Sequence, residues 1–209
     1  MRARIIALLV LGFACPVFAF DFYEPVKPPR AFQVMAHRGA LHQAPENTRL
    51  ALERCAEDGI EWAEVDLRLS RDHQHIILHD GDVDGKTNGT GRVLDLSVAE
   101  LKQLDAGAWF APQYAGEKLL TLKECLALAK DKINLYLDCK HIDPALLVEE
   151  VLAAGMERQV IVYEDPATLA KVRELSHGKI PVMTKWRTED GTAEWIAKSG
   201  LDAVEIDAD

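Results

Sequence analysis

The sequence predicts an α/β fold in which helices cover a parallel sheet or barrel. Three observations carry that reading. From residue 32 onward, short apolar runs alternate with amphipathic helical runs, the rhythm of repeated strand–helix units. Four of the apolar runs carry paired polar residues at or near their ends, where parallel barrels gather their reactive groups. One glycine-rich stretch, Gly81–Lys118, interrupts the rhythm, and a connection of that length inside a compact domain is commonly functional.

The elements follow in order. Phe32–His37 reads as an apolar strand ending at Gly39. Pro45–Asp58 reads as a helix, with Pro45 at its start, Leu50, Ala51 and Cys55 as apolar positions, and Gly59 as its stop. Trp62–Ser70 is a strand, and His75–His79 is another with no helix before it. Within Gly81–Lys118, a capping box from Ser97 to Glu100 opens one short helix. A second box, Thr121 to Glu124, opens a helix to Lys130. Strands at Ile133–Lys140, Gln159–Tyr163, Ile180–Lys185 and Leu201–Asp207 then alternate with helices at Pro144–Ala154, Pro166–Leu175 and Thr192–Lys198. The strands expected number seven.

At 209 residues the chain suits a single core. A net charge of −10 argues against nucleic acid and anionic membrane surfaces, which need a basic face, and is compatible with a small substrate. Residues 1–19 read as a secretory signal: Arg2 and Arg4, an apolar core from Ile5 to Phe13, and Val17-Phe18-Ala19 as the cleavage site. The apolar stretch is short and broken by Pro16, so no stable membrane span is expected in a mature chain of charge −12, periplasmic or secreted. Residues 20–31 read as a proline-bearing connector, and 32–209 as one domain with an insertion at 81–118. Past the leader the cysteines are Cys55, Cys125 and Cys139, an odd number that cannot all pair internally. Cys55 and Cys125 read as buried small apolar groups, and no zinc-site spacing is present.

The chemistry starts at Glu64 and Asp66. Side chains alternate along a strand, so the two acids share a face, roughly 7 Å apart. Unpaired anions inside a fold are costly, and a hard cation between them removes most of that cost. The first strand ends in His37-Arg38-Gly39, the third in His79-Asp80, and the fourth in Asp138-Cys139-Lys140 with Cys139 toward the helices. Glu64, Asp66 and Asp138 offer oxygen ligands for one divalent cation, Ca²⁺ or Mg²⁺. Arg38 and Lys140 offer positive charge for a phosphate, and His37 and His79 suit paired acid and base work. Such a set describes phosphodiester cleavage, whereas acyl transfer lacks a nucleophile elbow. Asn47 reads equally as a brace for the first loop and as a helix cap. His42, His73, His75 and His177 read as surface residues, His141 as a rim residue, and Trp109 and Phe110 as packing for the insertion ahead of an apolar lip over the substrate. Lys185-Trp186 ends the sixth strand at the same rim, and Glu205 and Asp207 repeat the E-x-D spacing on the last strand.

HRG at 37–39, PENT at 45–48, E-x-D at 64–66, HD at 79–80, LDAGAWF at 104–110 and TLKE at 121–124 stand in one order. With them the chain resembles the glycerophosphodiester phosphodiesterase family over residues 33–140; beyond 140 the likeness rests on the strand–helix rhythm. The resemblance implies a TIM-like (β/α) barrel with a small insertion after strand 3, and a divalent metal. It implies hydrolysis of a small-molecule glycerophosphodiester, such as a deacylated phospholipid, to sn-glycerol 3-phosphate and an alcohol. It casts His37 and His79 as the acid/base pair, Glu64 and Asp66 as metal ligands and Arg38 as a phosphate contact. In the implied mechanism a substrate hydroxyl attacks phosphorus, the histidines exchange protons, and water opens a cyclic phosphate. The family pattern on the fourth strand is Glu-x-Lys. Asp138 is one methylene shorter, so that a third ligand there would reach the metal through water or hold it more weakly. Two other readings share the pattern: a lyase-type phospholipase that releases the cyclic phosphate, and a non-catalytic phosphodiester-binding protein. A barrel of this kind needs eight strands and about 250 residues. The eighth strand is therefore expected to be lacking from this chain. An open barrel exposes two strand edges and apolar surface, which favours self-association.

Overall fold

The computed structural model describes residues 21–187 and 199–206. The expected leader, the helix at 192–198 and Asp207 lie outside these residues. Seven strands form one sheet: β1 (Met35–Ala36), β2 (Trp62–Leu69), β3 (His75–Ile77), β4 (Asn134–Cys139), β5 (Val160–Tyr163), β6 (Val182–Lys185) and β7 (Ala203–Glu205). The order β1-β2-β4-β5-β6-β7 follows the chain, and each of these neighbours is parallel. An order that never reverses is wound in one direction, so right-handed crossovers put the connecting helices on one face. Helices α1 (Arg49–Glu57), α3 (Leu122–Ala129), α4 (Pro144–Ala154) and α5 (Pro166–Leu175) cover that face, and α2 (Val98–Leu101) belongs to the insertion. The result is a curled, incomplete TIM-like barrel.

Two apolar layers follow from the alternation of each strand. Val65, Leu67, Leu135, Leu137, Val160 and Val162 point outward and pack with Leu122, Leu126, Leu147, Val151, Leu169 and Val172 from the helices. Cys55, Cys125 and Cys139 lie buried in this layer as free thiols. On the concave face Trp62, Tyr136, Ile161 and Met183 make a floor. The proline-bearing segment at 21–31 seals that floor without regular structure. Phe22 packs edge-on to Trp62 with ring centroids 4.9 Å apart, and Tyr23 donates from its backbone to Arg158 O (2.9 Å) and accepts from Asn134 (2.9 Å). The insertion has a core of its own, formed by Ile76, Leu78, Val83, Val93, Leu101, Ala106 and Leu119.

Several expectations need correction. His75–His79 is not a barrel strand. β3 covers three residues and runs antiparallel to β2, with Leu69 opposite His75 and Leu67 opposite Ile77. Only five residues separate β2 from β3, enough for a hairpin closed by Ser70 N to Gln74 O (2.9 Å) and too few for a parallel crossover. Six parallel strands, not seven, therefore form the barrel path among the described residues. The first strand covers only Met35–Ala36 of the expected Phe32–His37, and the left-handed backbone of Arg38 and Gly39, φ +54° and +74°, bars it from running on. The first helix begins at Arg49 rather than Pro45. Asn47 is left-handed (φ +59°), which no helix can run through, and Thr48 is the N-cap. His75 is buried rather than exposed: its Nδ1 meets Glu150 of α4 at 2.6 Å, and its Nε2 accepts from Asp143 N at 3.2 Å. The helices expected at Pro144–Ala154 and Pro166–Leu175 and both capping boxes are present.

Candidate active site

Register decides what the concave face carries. Across β2 and β4, Glu64 is paired with Tyr136 and Asp66 with Asp138. Side chains at paired positions of parallel strands point the same way, so Glu64, Asp66 and Asp138 converge. Each offers an oxygen within 4.8 Å of the other two, closer than the spacing along the strand alone suggests. Glu64 and Asp66 are buried, Asp138 half-buried.

The partners of these carboxylates are incomplete. Glu64 Oε2 accepts from Arg38 N at 2.5 Å, and Asp66 Oδ2 accepts from Asn47 Nδ2 at 2.8 Å. Glu64 Oε1 and Asp66 Oδ1 are buried without a hydrogen bond. Lys140 Nζ lies 2.6 Å from Asp138 Oδ2 and 3.4 Å from Asp66 Oδ1, the latter an ion-pair distance without hydrogen-bond geometry. Burial, and then the charge of Asp66, push the Glu64 carboxyl up to about 8. Burial would lower Lys140, but its hydrogen bond to Asp138 and the charges of Asp138 and Asp66 hold it above its usual range. Orphaned oxygens on hard carboxylates are the donor set a Ca²⁺ or Mg²⁺ ion takes, so these three residues fit one divalent cation.

The histidines flank the acids. His37 follows β1, is largely exposed, and holds Nε2 4.0 Å from Glu64 Oε2. His79 follows β3, which is drawn toward the acids where Leu78 N donates to Asp66 O (3.0 Å). His79 Nδ1 lies 2.7 Å from Asp80 Oδ1, a bond that holds Asp80 below the usual carboxylate range. With Nδ1–H directed at Asp80, Nε2 is left for a substrate. Arg68 grips the His79 carbonyl with Nε and Nη2, at 2.8 and 2.5 Å, and so fixes the loop that carries the ring.

PENT is a turn in which successive residues do different jobs. Glu46 binds Arg38 Nη1 (2.9 Å) and Lys86 Nζ (3.0 Å). Asn47 donates to Asp66 and accepts from its backbone N (3.2 Å), so it braces Asp66 while Thr48 does the capping. Arg38 also stands 3.7 Å from Asp66 Oδ2, and its guanidinium is half-buried between these two carboxylates. Gly39 lets α1 close over this turn: a Cβ there would stand 2.9 Å from Ala51 Cβ.

The profile of the Glycerophosphoryl diester phosphodiesterase family matches residues 37–208. The chain belongs to this family. It is 35% identical over 175 residues to the glycerophosphodiester phosphodiesterase of Bacillus subtilis, covering 77% of this chain and 59% of that one. A Caldanaerobacter subterraneus glycerophosphodiester phosphodiesterase is 43% identical over 99 residues, 47% of this chain and 41% of that one. The chain thus spans about half the length of the curated relatives it matches. A phosphodiesterase of Oleispira antarctica, solved in complex with the product sn-glycerol-3-phosphate, aligns with a TM-score of 0.69 and 30% identity over 84% of this chain and 74% of that one.

Sequence reasoning singled out Trp109, Lys185 and Glu205 but missed the parts that Glu46, Lys86 and Tyr136 play in this phosphodiesterase-family site. Glu46 and Lys86 tie the insertion to the first loop, and Lys86 also lies 4.0 Å over the Trp109 ring. Trp109 is therefore partly exposed beside the site as well as packing the insertion, its indole N–H on Ala106 O (2.9 Å). Tyr136 donates to Glu205 Oε2 (3.1 Å) and Lys185 Nζ stands 3.6 Å from Glu205 Oε1, so Glu205 joins the concave face. The signal for Tyr136 was present: it precedes Asp138 by two residues and so shares its face. His42, His73, His141 and His177 are exposed. No helix among the described residues is long and apolar enough to cross a membrane.

Proposed function

We propose that the chain hydrolyses glycerophosphodiesters to sn-glycerol 3-phosphate and an alcohol, with one Ca²⁺ or Mg²⁺ held by Glu64, Asp66 and Asp138. The observation that carries this reading is the pair of orphaned, buried carboxylate oxygens beside two histidines and an arginine. The product bound to the Oleispira relative supports the same product class. A cation held by Glu64, Asp66 and Asp138 would supply charge stabilisation for the phosphoryl group.

The side chains divide the remaining work. Arg38 and Lys140 draw the phosphate toward the triad. A glycerol hydroxyl attacks phosphorus, forming one P–O bond as the bond to the alcohol breaks. One histidine takes the hydroxyl proton and the other protonates the departing alcohol. Water then opens the cyclic phosphate, with the proton transfers reversed. His79 is set for this exchange by the Asp80 bond, which leaves Nε2 available. The basic and apolar pattern of residues 1–19 supports export to the periplasm or medium, which cell fractionation checks.

Hydrolysis of glycerophosphocholine is the test, with Ca²⁺ or Mg²⁺ and with EDTA. Activity is expected only with metal, and His37→Ala or His79→Ala should lower kcat by about 10²–10⁴-fold. Metal-independent turnover, or full activity in either variant, would overturn the reading. Phosphorus NMR should show glycerol 3-phosphate; an accumulating cyclic phosphate would make the chain a lyase instead.

A further inference from the structure

The wall facing the acid triad is polar, and the reaction as derived makes no use of it. Asp138 on β4 is paired with Tyr163 on β5, Tyr163 with Met183 on β6, and Met183 with Ala203 on β7. Two residues further on, Lys185 is paired with Glu205. Register therefore puts Tyr136, Tyr163, Lys185 and Glu205 on the same concave face as the triad. The Tyr136 and Tyr163 rings meet edge-on at 5.5 Å. The buried Tyr136 donates its hydroxyl to Glu205 from three strands away, so the curl of the sheet closes the distance between the triad strand and β7. Glu205 and Lys185 remain partly exposed.

We propose that Tyr136, Tyr163, Lys185 and Glu205 form a subsite for a hydroxyl-bearing alcohol arm of the diester, favouring polyol alcohols over quaternary ammonium ones. The proposal rests on the hydrolase reading above. A carboxylate has about four lone-pair positions, of which Tyr136 takes one on Glu205. A neighbouring pair of hydroxyls both gives and accepts protons, and matches that pairing. A trimethylammonium group can donate nothing. It would also meet the like charge of Lys185.

Steady-state turnover of glycerophosphoglycerol and glycerophosphocholine by the chain tests this, together with calorimetric titration of both diesters into His79→Ala with Ca²⁺. The chain should favour glycerophosphoglycerol by about tenfold or more in kcat/KM, as sites built to hold a hydroxyl do. Glu205→Gln and Tyr136→Phe should each remove most of that preference, an effect of about tenfold for a hydrogen bond to a charged group, by lowering glycerophosphoglycerol turnover more than glycerophosphocholine turnover. Circular dichroism and Tm confirm that each variant is folded. Turnover of both substrates without preference, or an equal loss on both in the variants, would overturn the subsite and leave the hydrolase reading standing. A calorimetric preference for glycerophosphoglycerol without turnover would support the subsite and overturn the hydrolase. Neither binding nor turnover would overturn both.

Discussion

Asn47 shows how much one side chain can hold. It satisfies both the backbone N–H and one carboxylate oxygen of Asp66 from a left-handed position in a tight turn. Asn47→Ala leaves both groups buried and unpaired, at about 1–3 kcal/mol for each. Removing the support of a ligand also lowers metal affinity, by about 10–100-fold. Ca²⁺ titration by calorimetry should show that drop; unchanged affinity would reduce Asn47 to a turn former. Glu64 gives a second prediction at the same scale. In the metal-free chain its carboxyl titrates near 8, above its ordinary value, because burial and Asp66 oppose ionisation. The native state then binds more protons than the unfolded chain, so stability falls as pH rises from about 5 to 8. Urea unfolding in EDTA should show that decline. It should be absent in Glu64→Gln, and suppressed by Ca²⁺, which binds the ionised form. Neither effect was visible in the sequence, where Glu64 and Asp66 were two acids sharing a face and their missing partners could not be counted.

At the scale of elements, local chemistry was legible and pairing was not. Ser97 and Thr121 announce their helices because a cap and its Glu three residues later form a bond within one turn. Asp143-Pro144 and Asp165-Pro166 do the same for α4 and α5, each Asp accepting from two backbone N–H groups. β3 was misplaced because a strand's partner is a long-range fact: HIILH reads alike as a barrel strand and as the second arm of a hairpin. PENT was misplaced because Pro45 resembles a helix start while Asn47 takes a left-handed conformation that its contact with Asp66 fixes. The insertion is held in a more local way. Asp105 accepts from Gly107 N (2.8 Å), Ala108 N (2.9 Å) and Gly116 N (2.8 Å), bonds that hold its carboxyl below the usual range. Gly107 must lack a side chain there, since a Cβ would overlap Tyr114 O at 1.9 Å. Asp105→Ala should therefore loosen 81–118 while the helix-side core stays intact. Limited proteolysis is expected to cut within the insertion sooner, with Tm little changed; an unaltered cleavage pattern would place the organising contacts elsewhere.

The whole molecule is a curled sheet with a sealed floor and two lateral edges. Its parallel path runs from β1 to β7, and among the described residues neither of these end strands has a second neighbour. Apolar groups lie by both: Phe32 and Met35 at 71% and 43% exposure beside β1, and Ile206 at 62% beside β7. Unpaired strand edges bordered by apolar side chains are templates for a further strand. A closed barrel supplies that strand from within, and this chain spans about half the length of its curated relatives. The 209-residue chain alone is thus expected to associate through these edges, with a sedimentation coefficient that rises with concentration. Met35→Lys puts a charge on the exposed β1 edge, and should shift the equilibrium toward monomer. The helix-side core should leave the variant folded, since Val65, Leu67, Leu135 and Leu137 are fully buried away from that edge. A wild-type chain that stays monomeric at high concentration and melts cooperatively at high temperature would show that the edges are covered. Covered edges would in turn mean that the described strands are not the whole of the sheet.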